Sequence, residues 1–381
     1  MDKAESKPAA KTGAGLEGVV AAESAIGDVD GVNGVLIYQG LNIHDLAEHS
    51  TFEETVYLLW HGRLPKRDEL DVLRQELAAN RKLPEEVVTL IRSFPADAEP
   101  MDSLRTAVSA LAFYDKGARD LSREGALRTA TRLTAQFPVV VATIERLRKG
   151  QEPVEPRADL NIASNFLYML KGEEPSEREA RIFDVCLILH ADHELNASTF
   201  TSRVIAGTLA DMYGAVTGAI AALSGPLHGG ANTNVMKMLL EVGEPARADE
   251  WLRDALASKK KIMGFGHRVY KTEDPRSVWL RRFSRELAES KGETRWIEIL
   301  ERLRERMFAE KKLYPNVDYY SGSAYYLMGI PLDLFTPIFA VSRISGWTGH
   351  VLEQYANNRL IRPRAEYVGP RDVPYVPIDE R

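Results

Sequence analysis

Helical periodicity runs through almost the whole chain and constrains its fold more than any other feature of the sequence. Apolar residues recur three and four positions apart, as at Ile182, Val185 and Leu189, which is the spacing of a helix that buries one face. Thr51 and Ser176 each precede a glutamate by three residues, and this capping-box spacing marks helix starts. The alternating strand and helix rhythm of an α/β fold is absent. The sequence therefore predicts a large, nearly all-α protein.

The best strand signal is the segment DVDGVNGVLIYQG at residues 28–40. Short β-favouring runs flank Asp-Gly and Asn-Gly pairs, which favour tight turns between antiparallel strands. We expect a minor β-hairpin near the N-terminus.

Composition excludes several classes of function. The 381 residues include 49 Lys and Arg against 55 Asp and Glu, a net charge of −6 that argues against nucleic acid or an anionic membrane surface as partners. The only cysteine, Cys186, excludes an intrachain disulfide framework. No apolar stretch approaches the ~18 residues of a membrane span. Residues 1–15 have neither the apolar core of a secretory signal nor the arginines of a mitochondrial presequence. We expect a disordered tail and a cytoplasmic protein.

Two of the eight histidines stand between glycines. His228 lies in GPLHGGAN and His267 in IMGFGHRVYK. Glycine permits unusual dihedrals and close backbone approach, which a packed core histidine does not need. His228 also precedes a predicted helix start, where the positive end of the helix dipole favours a neutral, hydrogen-bonding imidazole. A turn histidine with a structural hydrogen bond is the alternative for either one alone, but two such motifs favour a functional site.

His190 and His193 are three residues apart in HADHE, a spacing that would place both on one face of a helix. A metal site would need a third ligand and an open position, and the pattern lacks both. The sequence favours a hydrogen-bonded histidine at a helix end over a metal ligand.

Two arginines occupy positions that favour a bound anion. Asp274 and Pro275 suit a helix start, which would put Arg276 at the positive end of that helix. Arg343 lies in the nearly uncharged stretch FTPIFAVSRISGW, and a buried arginine needs an anion or several carbonyl groups. The alternatives are a surface arginine for the first and an internal salt bridge for the second.

Asp318 lies between Val317 and two tyrosines. A carboxylate in apolar surroundings has a raised pKa, which suits a general base, although an aspartate that caps the next helix is the alternative. Together with the histidines and arginines, Asp318 indicates proton abstraction and carbonyl polarisation on a polyanionic small molecule.

Six segments, in this order along the chain, resemble the citrate synthase family: HADHELNAST, GPLHGGAN, GFGHRVYKTEDPR, NVDYYSG, FAVSRISGW and RPRAEYVG. The similarity extends from about residue 16 to residue 375. It implies an all-α homodimer with two domains in each subunit. Residues 16–223 and 331–381 would form a large helical domain. Residues 224–330 would form a smaller, CoA-binding helical domain that closes over the active site.

The resemblance also implies roles for individual residues. Asp318 would remove a methyl proton from acetyl-CoA, His228 would hydrogen-bond the enol oxygen, and His267 would polarise the ketone of oxaloacetate. The residues expected to hold oxaloacetate are His193, Arg276, Arg343 and Arg362, the last of them reaching across from the second subunit. The residues expected at CoA are Ile262, Met263, Gly264, Phe265, Gly266 and Lys271. No metal or redox cofactor is expected, because the thioester itself supplies the acidity and the driving force.

Two alternatives stay open. Methylcitrate synthases share these motifs and use propionyl-CoA, and one methylene in a pocket changes the binding free energy by only ~1–3 kcal/mol. A non-catalytic helical CoA-binding scaffold is the other alternative, but it would require the loss of Asp318, His228 or His267.

Overall fold

The computed structural model describes residues 14–16 and 18–381, so the predicted tail at 1–15 lies outside the described residues up to position 13. The described chain forms sixteen α-helices and one small sheet. The helices are α1 Ile43–His49, α2 Phe52–His61, α3 Arg67–Ala79, α4 Glu85–Arg92, α5 Pro100–Leu111, α6 Arg123–Arg148, α7 Ile162–Lys171, α8 Glu177–His190, α9 Ala197–Ala206, α10 Met212–Leu223, α11 Ala231–Val242, α12 Ala248–Ala257, α13 Pro275–Lys291, α14 Arg295–Lys311, α15 Val317–Leu327 and α16 Phe335–Ala356. The all-α prediction is confirmed.

The predicted capping residues start their helices, but only one forms a complete capping box. Thr51 accepts the N–H of Glu54, and the Glu54 carboxylate accepts the N–H of Thr51 at 2.7 Å. Ser176 likewise accepts the N–H of Glu179. The Glu179 carboxylate instead pairs with Lys291 of α13 at 2.9 Å, so this side chain joins two helices that are distant in sequence.

The predicted hairpin is confirmed. β1 (Gly27–Asp30) pairs antiparallel with β2 (Val35–Tyr38), and a further short strand, β3 (Leu41–Asn42), extends the sheet. Asp30 shapes the turn, because one of its carboxylate oxygens accepts the N–H groups of Val32 and Asn33, each at 2.9 Å.

Helix α16 lies at the centre of the hydrophobic core. It packs against α2, α6, α8, α9 and α10, and most of its residues are buried, including Trp347 and the charged side chain of Arg343. A helix that is enclosed on nearly every side must satisfy its polar side chains internally. Within residues 14–16 and 18–381, no helix has both the length and the hydropathy needed to cross a bilayer.

Helices α11 to α15 form a neighbouring group in which α15 packs against both α11 and α13. This group also contacts the N-terminal elements. The N–H of Lys271 donates to the carbonyl of Gly31 in the hairpin turn at 2.7 Å, and the indole of Trp279 donates to His44 of α1 at 2.8 Å. The division at residues 224 and 330 into two domains stays a prediction.

Candidate active site

The structure brings six of the predicted residues to one place where helix ends from different parts of the chain meet. They are His193 after α8, His228 before α11, His267 before α13, Arg276 in the first turn of α13, Asp318 in the first turn of α15, and Arg343 in the middle of α16. The rings of His193 and His267 are 5.2 Å apart, centre to centre. The charges of Arg276 and Arg343 both act on Asp318. The site therefore combines three imidazoles, one carboxylate and two guanidinium groups.

Backbone hydrogen bonds fix the tautomer of His267. Its Nδ1 accepts the N–H groups of Val269 and Tyr270, at 3.0 and 3.1 Å, so the ring proton of the neutral imidazole lies on Nε2. Burial, reinforced by the positive charge of Arg276, lowers the pKa of His267 to about 4. This residue is therefore a neutral hydrogen-bond donor through Nε2 at physiological pH.

His228 has the opposite tautomer. Its Nε2 accepts the N–H of Ser198 at 3.2 Å and lies 2.9 Å from the Ser198 hydroxyl, so the proton of the neutral ring lies on Nδ1. Burial first, and then the charge of Arg343, lowers the pKa of His228 to about 4. The sequence predicted a neutral imidazole from the helix dipole; in the structure, burial is the main cause of the lowered pKa.

His193 does not share a helix face with His190, so that prediction is wrong. Helix α8 ends at His190, and His193 lies in the loop that follows. His190 is buried and donates from Nδ1 to the carbonyl of Cys186 at 2.7 Å, as expected for a hydrogen-bonded histidine at a helix end. The Nε2 of His193 instead lies 3.3 Å from the hydroxyl of Tyr270. Burial and the charge of Arg276 keep the pKa of His193 well below its usual value.

Arg276 is buried and is not a surface arginine. Asp274 caps α13 by accepting the N–H of Arg276, and it also accepts two hydrogen bonds from the Arg276 guanidinium at 2.9 and 2.7 Å. Asp274 further accepts the N–H of Val317 at 3.2 Å, and this bond ties the start of α13 to the start of α15. One carboxylate thus orients both Arg276 and the helix turn that carries Asp318.

Arg343 is buried without an ion pair. Its Nε donates to the carbonyl of His190 at 2.7 Å, and its guanidinium lies 4.6 Å from the ring centre of Phe339. In the part of the chain that the structure describes, no carboxylate approaches this guanidinium to salt-bridge distance, so the predicted alternative of an internal salt bridge is wrong. Burial lowers the pKa of Arg343 to about 10. The site therefore holds a desolvated cation that favours a bound anion.

Asp318 has the properties expected of a general base. Asn316, and not Asp318, caps α15 by accepting the N–H of Asp318 at 3.0 Å, which excludes the alternative of a capping aspartate. The Asp318 carboxylate accepts no hydrogen bond from the described residues. Burial raises its pKa to about 6, although Arg276 and Arg343 act in the opposite direction. A carboxylate with such a pKa is ionised at neutral pH and accepts a proton more readily than an exposed one.

The predicted CoA segment lies beside the chain that leads into α15. The N–H of Gly266 donates to the carbonyl of Tyr314 at 3.0 Å, and the N–H of Asn316 donates to the carbonyl of Gly264 at 2.9 Å. Gly264 has a φ of 79°, and a Cβ at this position would lie 2.6 Å from the ring of Tyr319. Only glycine fits there. Of the other residues predicted at CoA, Ile262 is buried, Met263 and Phe265 are half-buried, and Lys271 is exposed.

Arg362 is not brought to the site within one chain. It is exposed and lines a separate surface cavity of about 910 Å³ together with residues of the N-terminal segment and the end of α16. Sequence reasoning also missed Ser198 and Tyr270, which contact the site histidines. Both lie inside motifs that were already singled out, HADHELNAST and GFGHRVYKTEDPR.

Comparisons with known proteins agree over nearly the full chain. A family model described as citrate synthase, C-terminal domain, matches residues 15–364. A protein of Bacillus subtilis named citrate synthase 2 is 54% identical, with 96% of this chain and 98% of the relative covered. The structure of a citrate synthase from Thermoplasma acidophilum, described as a ternary complex with carboxymethyl coenzyme A and oxaloacetate, superimposes with a TM-score of 0.92 at 34% identity, covering 97% of this chain and all of that one.

A protein of Corynebacterium glutamicum named 2-methylcitrate synthase 2 is also similar, at 42% identity over 96% of this chain and 97% of its own length.

Proposed function

The chain belongs to the citrate synthase family, whose members are condensing acyltransferases, and from that premise we propose how its own side chains catalyse the reaction. The substrates are acetyl-CoA and oxaloacetate, and the products are citrate and CoA. The observation that carries this proposal is a desolvated, unpaired Arg343 beside a carboxylate, Asp318, whose pKa is raised to about 6. A dicarboxylate would satisfy the cation, and the carboxylate would remove a proton from the second substrate.

Oxaloacetate binding is supported by charge and by hydrogen-bonding capacity. Arg343 offers donors without a carboxylate partner in the described residues, and Arg276 is held in place by Asp274. The charges of Arg276 and Arg343 both act on His193, and its ring lies 5.2 Å from that of His267, centre to centre. We assign the oxaloacetate carboxylates to the two arginines and its carbonyl region to His193 and His267.

The condensation needs a base and two neutral donors. Asp318 takes a proton from the methyl carbon of acetyl-CoA, and Nδ1–H of His228 hydrogen-bonds the oxygen of the resulting enolate. The enolate carbon then forms a bond to the ketone carbon of oxaloacetate, and Nε2–H of His267 hydrogen-bonds the ketone oxygen as it gains negative charge. That oxygen ends the step with a proton equivalent to the one lost from the methyl carbon, so Asp318 is again ionised and His267 again neutral. Both imidazoles suit these roles, because backbone N–H groups already fix their tautomers.

Hydrolysis completes the reaction. Water adds to the thioester carbon of citryl-CoA, the carbon–sulfur bond breaks, and the CoA thiol leaves with the proton from water. We propose that no metal or redox cofactor takes part, because no atom changes oxidation state through an external carrier and the thioester supplies both acidity and driving force.

The acyl group and the assembly belong to the proposal. We favour acetyl-CoA over propionyl-CoA, since the relative with 54% identity is named a citrate synthase and the one named a 2-methylcitrate synthase is 42% identical. We propose a homodimer in which Arg362 of each subunit reaches the oxaloacetate of the other. Its exposure and its position outside the cluster of its own chain support that arrangement. A cytoplasmic location also stays a prediction.

The release of CoA thiol tests this function directly. Release from acetyl-CoA should depend on oxaloacetate, and kcat/KM for acetyl-CoA should exceed that for propionyl-CoA. A preference for propionyl-CoA would assign the protein as a methylcitrate synthase. If CoA is released from neither thioester, the proposed function is wrong and the alternative of a non-catalytic CoA-binding scaffold is favoured.

A further inference from the structure

A string of buried polar side chains connects the oxaloacetate site with α9 and the end of α16. Asp192 and His350 are both fully buried, and Nε2 of His350 lies 3.2 Å from a carboxylate oxygen of Asp192. On the other side of the ring, Arg203 lies 3.1 Å from Nδ1 of His350 and also pairs with Glu353. We name these four residues the Asp192 network. None of them has a part in the proposed chemistry.

The neighbours of His350 fix its tautomer. A guanidinium has only donors, so Nδ1 of His350 accepts the hydrogen bond from Arg203. The ring proton therefore lies on Nε2, which donates to Asp192. Arg203 is itself held by the side-chain oxygen of Gln354 at 3.0 Å. The network thus presents a directed N–H donor to a buried carboxylate.

Asp192 in turn holds the loop that carries His193. Its second carboxylate oxygen accepts the N–H of Glu194 at 3.0 Å, and its carbonyl accepts the hydroxyl of Tyr38 at 2.9 Å. The chain is therefore fixed on both sides of His193.

Two glycines pack closely against the carboxylate of Asp192. A Cβ added at Gly27 would lie 2.6 Å from one of its oxygens, and a Cβ added at Gly346 would lie 2.7 Å from the other. Glycines from β1 and α16 thus enclose the group. The charge of Asp192 also acts on Arg343 and favours its cationic form.

We propose that His350 and Asp192 are positioning residues that set the affinity for oxaloacetate, His350 by donating a hydrogen bond to Asp192, and Asp192 by fixing the His193 loop beside Arg343. This inference rests on the proposed function. It assigns the network to one substrate, because the proposed function places His193 and Arg343 at oxaloacetate, and Asp318 and His228 at the acyl group. Loss of the donor should therefore change the binding of oxaloacetate and leave the turnover at saturation nearly unchanged.

Two substitutions at His350 separate the hydrogen bond from packing. Glutamine carries an amide nitrogen at the ε position and can still donate to Asp192. Asparagine is shorter and can accept from Arg203, but it cannot reach Asp192. For His350→Asn we expect KM and Kd for oxaloacetate to rise by roughly tenfold, as for loss of a hydrogen bond to a buried charged group, with kcat within about threefold of wild type. For His350→Gln we expect both constants to stay within about threefold of wild type.

A matched control lies two residues away on the same helix. Thr348 accepts a buried hydrogen bond from the indole of Trp60 at 2.9 Å, and its hydroxyl donates within its own helix, to the carbonyls of Ile344 and Ser345, rather than to the His193 loop. Thr348→Val should lower thermal stability without changing KM for oxaloacetate. Tyr38 contacts the loop from the other side, through the hydrogen bond from its hydroxyl to the carbonyl of Asp192. Tyr38→Phe removes that bond and should raise KM for oxaloacetate without a matching loss of kcat. This variant keeps the inference testable if His350→Asn fails to fold.

The measurements are steady-state CoA release, calorimetric titration with oxaloacetate, and thermal unfolding. The inference is supported if KM and Kd rise together in His350→Asn and Tyr38→Phe and recover in His350→Gln. It is overturned if His350→Asn loses kcat at unchanged KM, if glutamine is as harmful as asparagine, or if Thr348→Val shifts KM equally. An inactive wild-type protein would instead contradict the proposed function, which is a different outcome.

Discussion

The charged form of Asp318 lowers the free energy of unfolding relative to the neutral form. Its pKa is raised from 3.8 to about 6, so the folded state binds this proton more tightly than the unfolded chain does. Asp318→Asn should therefore stabilise the protein. The gain should be absent below about pH 4, grow between pH 4 and 6, and reach about 1–3 kcal/mol above pH 6. Urea unfolding at pH 4.5 and pH 8 measures it, and equal stability of both proteins at pH 8 would contradict the raised pKa.

The same substitution should nearly abolish turnover. An amide cannot take up the methyl proton, so kcat should fall by ~10²–10⁴ while oxaloacetate binding persists. Thiol release and calorimetric titration with oxaloacetate are the two measurements. Near-native turnover in Asp318→Asn would remove this residue from the role of base.

The pH dependence of the wild-type enzyme follows from the order of the pKa values at the site. As the proposed base, Asp318 would act in its ionised form, so kcat/KM for acetyl-CoA should rise with pH through a midpoint near 6. His228 and His267 have pKa values of about 4 and are neutral over that range. A pH profile at saturating oxaloacetate checks this. If the residual activity of Asp318→Asn still rises with pH through the same midpoint, the titration belongs to another group.

Sequence reasoning found six residues that the structure brings together, but not their hydrogen-bond partners. The sequence shows that glycines lie next to His228 and His267 and that two tyrosines follow Asp318. The tautomers depend on backbone N–H groups such as that of Ser198, which lies thirty positions from His228. The unpaired state of Arg343 depends on which carboxylates the fold brings near, and no local pattern encodes that.

At the scale of elements, the pairing of the Gly264 segment with the chain before α15 positions Asp318, the proposed base. In Gly264→Ala the new Cβ would meet the ring of Tyr319, and the left-handed backbone would be strained as well. We expect a loss of about 2–5 kcal/mol in the free energy of unfolding, from ~1–2 for the left-handed residue and ~1–3 for overpacking. Activity with acetyl-CoA should fall with it, because Tyr319 adjoins Asp318.

Gly292→Ala is the control for the backbone contribution. Gly292 ends α13 with a φ of 64°, and a Cβ there would meet nothing within 4 Å. It should lose only about 1–2 kcal/mol and keep full activity. Urea unfolding and thiol release compare the two variants. Equal losses would show that the contact with Tyr319 has no part in the effect.

Element boundaries were predictable where local chemistry decides them. Thr51 and Asp274 are side chains that satisfy N–H groups at helix starts, and both cap the helices expected of them. The end of α8 was not predictable, because the pattern HADHE continues the helical spacing. The chain leaves the helix there because Asp192 turns inward to His350 and Tyr38, partners that are distant in sequence.

At the scale of the whole molecule, the position of Arg362 predicts a site shared between subunits. Mixing Arg362→Ala chains with Asp318→Asn chains and allowing exchange should restore activity. Each mixed dimer would contain one site with both lesions and one with neither. Half of the dimers are mixed and each has one intact site of two, so about a quarter of wild-type activity should return. A mixture as inactive as its parents would place Arg362 in its own subunit's site, or outside the site altogether.

Helix α16 stands at the centre of the core, and yet it is the last of the sixteen described helices in chain order. At ~5–20 residues per second, a ribosome needs tens of seconds to pass from the hairpin to α16. Each of α2, α6, α8 and α9, from the time it is made, exposes the apolar face that α16 will cover. During this interval the apolar faces are open to contacts with other proteins, because the helix that covers them has not been synthesised. Slow translation just before residue 335 would lengthen the exposure, and chaperones that bind apolar grooves would reduce the resulting aggregation.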